Sequence, residues 1–208
     1  MDSSEINSLC SKFCEVISSR KTFADTFFRP TSSSSTFISI ENDGNGVNRT
    51  LGLFMLTKEI MNSDFTVAEI GSFCGVSSEV LALHCKKIYC IDTWNDWSGD
   101  GIIYKAMDKF DEMKSMYPHV EKLHMTGEEG SKLFSDEYFD LVYIDASHWY
   151  DDVIFDIKTW LPKIKNGGYL AGHDYVLGID TFRAVNDFFG KTHAITVYPD
   201  SSWVIKKV

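Results

Sequence analysis

DLVYIDASHWYDDVIFDIKTWLPKIKNGGYLAGHDY, residues 140–175, spells a strand, a helix and a second strand. Leu141 to Asp145 is a short apolar run ending in an acid. Asp151 to Leu161 carries apolar side chains at helical spacing, and Tyr169 to Gly172 is a second apolar run. A crossover of this length joins parallel strands of one sheet. The two strand ends then bring Asp145 and Asp174 side by side, with His148 in the loop after the first and His173 at the end of the second. Open α/β sheets bind ligands in the crevice outside the carboxyl ends of their strands, so polar chemistry is expected there.

The same alternation extends both ways. Strands are expected at Thr66 to Ile70, Ile88 to Asp92, Glu121 to Met125, Ala194 to Tyr198 and Trp203 to Lys206. Helices are expected at Thr50 to Met61, Ser77 to Cys85, Tyr104 to Tyr117 and Glu128 to Phe134; the stretch between Gly172 and Ala194 is assigned no element. Only Pro199 to Ser202 separates the last two strands, too short for a parallel crossover, so they pair antiparallel. The expected fold is α/β: a Rossmann-like, doubly wound, seven-stranded, mostly parallel sheet with an antiparallel last strand and helices on both faces.

Length and composition fit one catalytic-sized domain, residues 50–208, preceded by an N-terminal helical or cap segment, residues 1–49. In that segment Ile6, Leu9, Phe13, Val16 and Ile17 share a helical face, with Cys10 and Cys14 among them as small buried hydrophobes. Pro30 to Thr36 is a connector and Phe37 to Glu41 alternates like a strand. ENDGNG, residues 41–46, begins like a calcium loop, but Gly52 stands at its twelfth position, so it is expected to be a turn. A formal charge of -10 argues against nucleic acid as the main partner. Five cysteines without a CxxC pair indicate neither a disulfide framework nor a zinc site, and a reducing cytoplasm is expected. No apolar run approaches the roughly 20 residues that cross a bilayer, and the polar, acidic start is unlike a secretory signal.

AEIGSFCGVSS, residues 68–78, follows the first strand of the alternation and opens a helix. Gly71 and Gly75 permit a tight turn and close approach to a ligand, while Ser77 or Ser78 can cap the helix. Asp92 ends the next strand, where an acid can accept from both ribose hydroxyls. A purely structural turn explains the glycines about as well; the acid at the second strand end shifts the balance towards an adenosine-containing ligand.

The spacing Glu69-x-Gly71-x-x-x-Gly75, the acid at the second strand and the antiparallel end together resemble class I S-adenosylmethionine-dependent methyltransferases. The resemblance covers roughly Thr50 to Val208. More narrowly, residues 143–175 look like the small, often metal-dependent O-methyltransferases related to catechol, caffeoyl-CoA and antibiotic-sugar methylation. That resemblance implies that Gly71, Ser72, Phe73, Gly75 and Ser77 wrap the methionine part of S-adenosylmethionine, with Glu69 near its amino group. It places Asp92 and Thr93 at the ribose and Thr126, Gly127 and Glu128 beside the adenine. Trp94 either covers the adenine or anchors its loop. Asp145 lies where cofactor and acceptor meet.

In the metal-dependent members an acid ends the fourth strand and a pair of oxygen ligands ends the fifth. The corresponding residues are Asp145 and the pair His173 and Asp174, where an imidazole departs from the usual spelling. A magnesium site prefers oxygen, so His173 would favour manganese or a later metal, or it is a neighbour of the site instead. The resemblance gives His148 the part of a base that helps deprotonate an acceptor hydroxyl. Trp97, Trp149, Tyr150 and Tyr175 are candidates for the acceptor pocket. The function implied is methyl transfer to a hydroxyl of a small molecule or sugar, in a protein able to form a homo-oligomer. A metal-independent methyltransferase, a nicotinamide oxidoreductase and a non-catalytic binding module are the alternatives. His84, His119, His124 and His193 have no comparable setting.

Overall fold

A computed structural model describes residues 50–96 and 99–208. The expectations for residues 1–49, including the helical segment, Cys10, Cys14 and the turn at 41–46, and for Trp97, lie outside the described residues.

The chain runs α1 (Leu51–Ile60), β1 (Thr66–Ile70), α2 (Val76–Ala82), β2 (Lys87–Asp92), α3 (Ile102–Met116), β3 (Val120–His124), α4 (Gly127–Ser131), β4 (Phe139–Ile144), α5 (Tyr150–Trp160), a short 3-10 turn, β5 (Ile164–Gly172), α6 (Asp180–Phe189), β6 (Thr196–Val197) and β7 (Trp203–Lys206). The seven strands form one sheet in the order β3-β2-β1-β4-β5-β7-β6. The first five are parallel, and β7 runs antiparallel to both neighbours. The order reverses between β1 and β4, which opens a crevice at their carboxyl ends.

β1 and β4 read as near-continuous apolar runs because both of their faces are covered. On one face Val67, Ile88, Leu141 and Tyr143 pack with α1, α2 and α3 through Leu56, Leu81 and Phe110. On the other, Ala68, Ile91, Val142 and Leu170 pack with α5 and α6 through Ile157, Trp160, Val185 and Phe189. Helices thus lie on both sides of the sheet.

Several elements differ from expectation. α6 falls in a stretch where no element is expected, yet Thr181, Ala184, Val185 and Phe189 are buried at helical spacing along it. β5 begins at Ile164 rather than Tyr169, because an irregularity opposite Phe139 and Leu141 lets it continue past its two glycines. The expected strand at Ala194 to Tyr198 shrinks to Thr196 and Val197, both exposed at the sheet edge. Neither Ser77 nor Ser78 caps α2, whose N-cap is Gly75 at φ 89°.

The cap of α1 comes from far away. Thr50 makes no side-chain cap bond. Instead the buried Asp200, in the β6–β7 turn, accepts from Leu53 N at 2.8 Å and from Ser202 N at 2.9 Å. A Cβ on Gly52 would lie 1.9 Å from Asp200 Oδ1, so only glycine admits that carboxylate to the helix end.

Candidate active site

The first wall is the turn after β1. Gly71 has φ +91° and donates to Ile91 O at 2.9 Å. Asp145 N donates to Ile70 O at 2.8 Å, lacing the ends of β1 and β4 together. Phe73 adopts φ 43° and Trp94 φ 41°, a left-handed conformation that costs about 1–3 kcal/mol each in non-glycine residues. The Asp92 carboxylate over-determines both: it accepts from Phe73 N at 2.8 Å and Trp94 N at 2.7 Å. Each carboxylate oxygen can accept a second bond, so Asp92 fixes two loops and still has capacity for a ligand hydroxyl.

Glu69 does not line the cavity. It is fully buried beneath the turn and accepts from Ser72 Oγ at 2.7 Å and from Ser78 Oγ. Burial pushes its carboxyl up to about 7, against the lowering effect of hydrogen bonds from Ser77, Ser78 and Ser72. Its Oε1 has no hydrogen-bond partner among the described residues. Gly75 also faces inward, towards Met113 and Phe110. These two residues support the turn from behind, while Gly71, Ser72, Phe73, Ser77, Asp92 and Thr93 are on the cavity wall.

Of the residues expected beside an adenine, only Gly127 reaches the wall. Thr126 caps α4 reciprocally with Glu129, and Glu128 pairs with Lys132 at 2.7 Å. Trp94 has the anchoring part: it is buried, its Nε1 donates to Phe73 O at 2.7 Å, and Phe110 and Lys122 occupy its faces.

The second wall holds the titratable groups. His148 Nε2 lies 2.7 Å from Asp174 Oδ2 and 3.8 Å from Asp145 Oδ1. Hydrogen bonding to Asp145 and Asp174 pushes the His148 imidazole up to about 10, against partial burial. The two histidines in turn hold the Asp174 carboxyl well below its usual range. Asp174 itself adopts φ 58°, a further strained residue beside the crevice. One ligand atom each from Asp145, His148 and Asp174 lies within 4.8 Å of the others.

The cluster differs in membership from the expected ligand set. His148, not His173, joins the two acids. His173 turns Nδ1 to Asp174 Oδ1 at 3.3 Å, and its Nε2 is buried without a partner among the described residues. Burial lowers its pKa, but Asp174 and Asp145 more than offset this and hold it up at about 9. His173 still lines the cavity. Among the expected acceptor-pocket residues, Trp149 is 75% exposed. Tyr150 lies under Arg183, and Tyr175 accepts from Asn186 Nδ2. None of these aromatics lines the cavity.

Both walls face one cavity of about 570 Å³, continuous from Gly71 and Asp92 to His148 and Asp174. Thr50 and Leu53, at the start of α1, also line it. No local signal marks these two residues, because α1 reaches the cavity only through packing. Among the described residues no helix is long and apolar enough to cross a membrane.

A protein from Streptococcus mutans, solved in complex with SAH and described as a methyltransferase, superposes with a TM-score of 0.60 at 15% identity, covering 78% of this chain and 99% of its own. The tRNA (m1A58) methyltransferase TrmI of Aquifex aeolicus gives 0.61 at 7% identity, covering 91% and 77%. The N-methyltransferase NodS of Bradyrhizobium japonicum gives 0.52 at 15%, covering 79% and 97%. These similarities establish the fold. An uncharacterized protein of Sinorhizobium fredii is 28% identical over 109 residues, 49% of this chain but only 11% of that much longer one. A family model described as a methyltransferase domain matches residues 68–175, more than half of the 208 residues and all of the strand ends that build the cavity. The chain therefore belongs to the methyltransferase-domain family.

Proposed function

We propose that this methyltransferase binds S-adenosylmethionine along the Gly71 and Asp92 wall and transfers its methyl group to a hydroxyl oxygen of a small molecule or sugar held at Asp145, His148 and Asp174. The observation that carries the reading is the single cavity that joins the glycine turn to the pair of acids and their histidine. In the transfer an acceptor oxygen forms a bond to the methyl carbon as the carbon–sulfur bond breaks. The sulfur keeps the electron pair, and S-adenosylhomocysteine leaves. Alignment of donor and acceptor is the main contribution the protein has to make.

Two carboxylates and an imidazole nitrogen are a donor set that fits a divalent cation such as manganese or magnesium, the nitrogen favouring manganese. Bound there, the ion would polarise the acceptor hydroxyl and lower its pKa. Asp145 and Asp174 would hold it with His148. The unpartnered Nε2 of His173 is too enclosed to join them, so His173 acts on the site by orienting Asp174. An imidazole that serves as a ligand cannot take the proton, which then leaves to water.

A second reading dispenses with the ion. The 2.7 Å contact between His148 and Asp174 is one that an imidazole and a carboxylate make unaided. In that case His148 is the proton acceptor. Release of S-adenosylhomocysteine from the full chain, measured over a panel of catechols, phenols and sugars with manganese, magnesium or EDTA, separates the two. Loss with EDTA and in both Asp145→Ala and Asp174→Ala supports the metal reading. Indifference to EDTA with loss in His148→Ala supports the second. No turnover of any hydroxyl acceptor alongside turnover of an amine would overturn both.

The formal charge of -10 favours a small acceptor over a polyanion.

A further inference from the structure

Behind Gly127 lie two polar side chains that the hydroxyl-transfer site does not use. A Cβ on Gly127 would stand 3.5 Å from Asp156 Oδ1 and 3.5 Å from Trp160 Nε1. Both residues are on α5, one helical turn apart, and both are more than nine-tenths buried. The indole N–H of Trp160 has no hydrogen-bond partner among the described residues. Burial, then repulsion from Asp152, pushes the Asp156 carboxyl up to about 7, and no hydrogen bond offsets either. Buried polar groups are almost always paired, so an unpartnered indole N–H beside a carboxyl that makes no hydrogen bond among the described residues points to something that joins them when the site is filled.

Gly127 is the opening. It is the first residue of α4 and its φ is not positive, so the backbone there does not require glycine. What glycine does at 127 is leave space between the cavity and the two polar groups. Ile70, Ile91, Met125 and Ala146 also line the cavity, an apolar lining suited to a flat ring. A ring against that lining with a donor on its edge would meet a carboxylate through the gap.

We propose that Asp156 reads the exocyclic 6-amino group of the cofactor's purine through the gap left by Gly127, with Trp160 Nε1 positioning the carboxyl directly or through a water. The inference rests on the reading that this cavity binds S-adenosylmethionine. Asp156 becomes a specificity residue: an amino edge pairs with it, whereas a 6-oxo edge sets acceptor against acceptor.

The test is calorimetric binding of S-adenosylhomocysteine and of S-inosylhomocysteine, which carries a 6-oxo group, to the full chain at pH 8, where Asp156 is ionised. The wild type should prefer the adenosyl ligand by about 10–100-fold, the range of one hydrogen bond to a charged group. Asp156→Ala should cut that ratio below about threefold. In Asp156→Asn, whose amide can also donate, the preference should move towards the inosyl ligand. The near-isosteric asparagine guards against loss of fold, checked by circular dichroism. A ratio unchanged in Asp156→Asn or Asp156→Ala, or a wild type with no preference, overturns the inference while leaving the cofactor in place. A wild type that binds neither ligand overturns the cofactor reading and this inference with it.

Discussion

A Cβ on Gly71 would lie 2.2 Å from the carbonyl oxygen of Asp145, so the turn that builds one wall of the cavity rests directly on the strand end that carries the other. The contact leaves no room for any other residue at 71, and φ +91° disfavours one independently. The two walls of the cavity are thereby held in a fixed relation, the condition that alignment-based catalysis needs.

Gly71→Ala should destabilise the protein by about 2–5 kcal/mol, from about 1–2 for the left-handed backbone and about 1–3 for overpacking. Urea unfolding would measure the loss, and S-adenosylhomocysteine binding should fall more steeply than stability. Gly99 also has positive φ, at +73°, but a Cβ there would meet nothing within 4 Å. Gly99→Ala should therefore cost only the backbone part and leave binding intact.

Asp174 accepts from His148 and faces His173, both of which depress its pKa. Asp174→Asn removes the charge and keeps the shape. Under the metal reading, manganese affinity measured by electron paramagnetic resonance should fall more than about 100-fold, beyond the 10–100-fold typical of residues outside the ligand shell. His173→Gln should stay within that smaller range. Equal losses in the two variants would place His173 on the ion.

Asp156 sets a pH dependence whose sign is fixed by burial. Its folded-state pKa is raised from 3.8 to about 7, so between those values the folded protein holds a proton that the unfolded chain releases. Stability attributable to this group therefore falls as pH rises from about 4 to 7. Asp156→Asn should remove that slope, making the variant more stable than wild type at pH 8 by up to about 4 kcal/mol and no more stable at pH 4. Denaturant midpoints at the two pH values would check it in ligand-free protein.

Asp200 caps α1 across the fold through Leu53 N. Asp200→Ala should cost about 1–2 kcal/mol, the range for loss of an N-cap, read as a lowered denaturation midpoint. Because Thr50 and Leu53 line the cavity, the same change should weaken cofactor binding.

The seven-stranded sheet was legible because its signals are local. Short, mostly apolar runs such as Val67 to Ile70, broken only by Glu69, and Leu141 to Ile144 need both faces buried, and Pro199 to Ser202 is too short for anything but an antiparallel return. The glycine turn, Asp92 at the end of β2 and the acids at the ends of β4 and β5 follow from the same periodicity. α6 was missed although Thr181, Ala184, Val185 and Phe189 have helical spacing; its pattern is spread over polar positions, and burial against α5 completes it.

By itself the sequence determined the order of elements, the parallel sheet and the residues delivered to its carboxyl edge, since strand and helix periods dictate which side chains share a face and an end. Tertiary structure alone decided which of those residues meet. Rotamer and loop path bring His148, rather than His173, to Asp174. Long-range packing sends Asp200 to the head of α1 and sets Asp156 behind Gly127 beside a Trp160 indole N–H that has no hydrogen-bond partner among the described residues. Side-chain direction and contacts between distant segments have no period in the sequence, and on them depends what the cavity can hold.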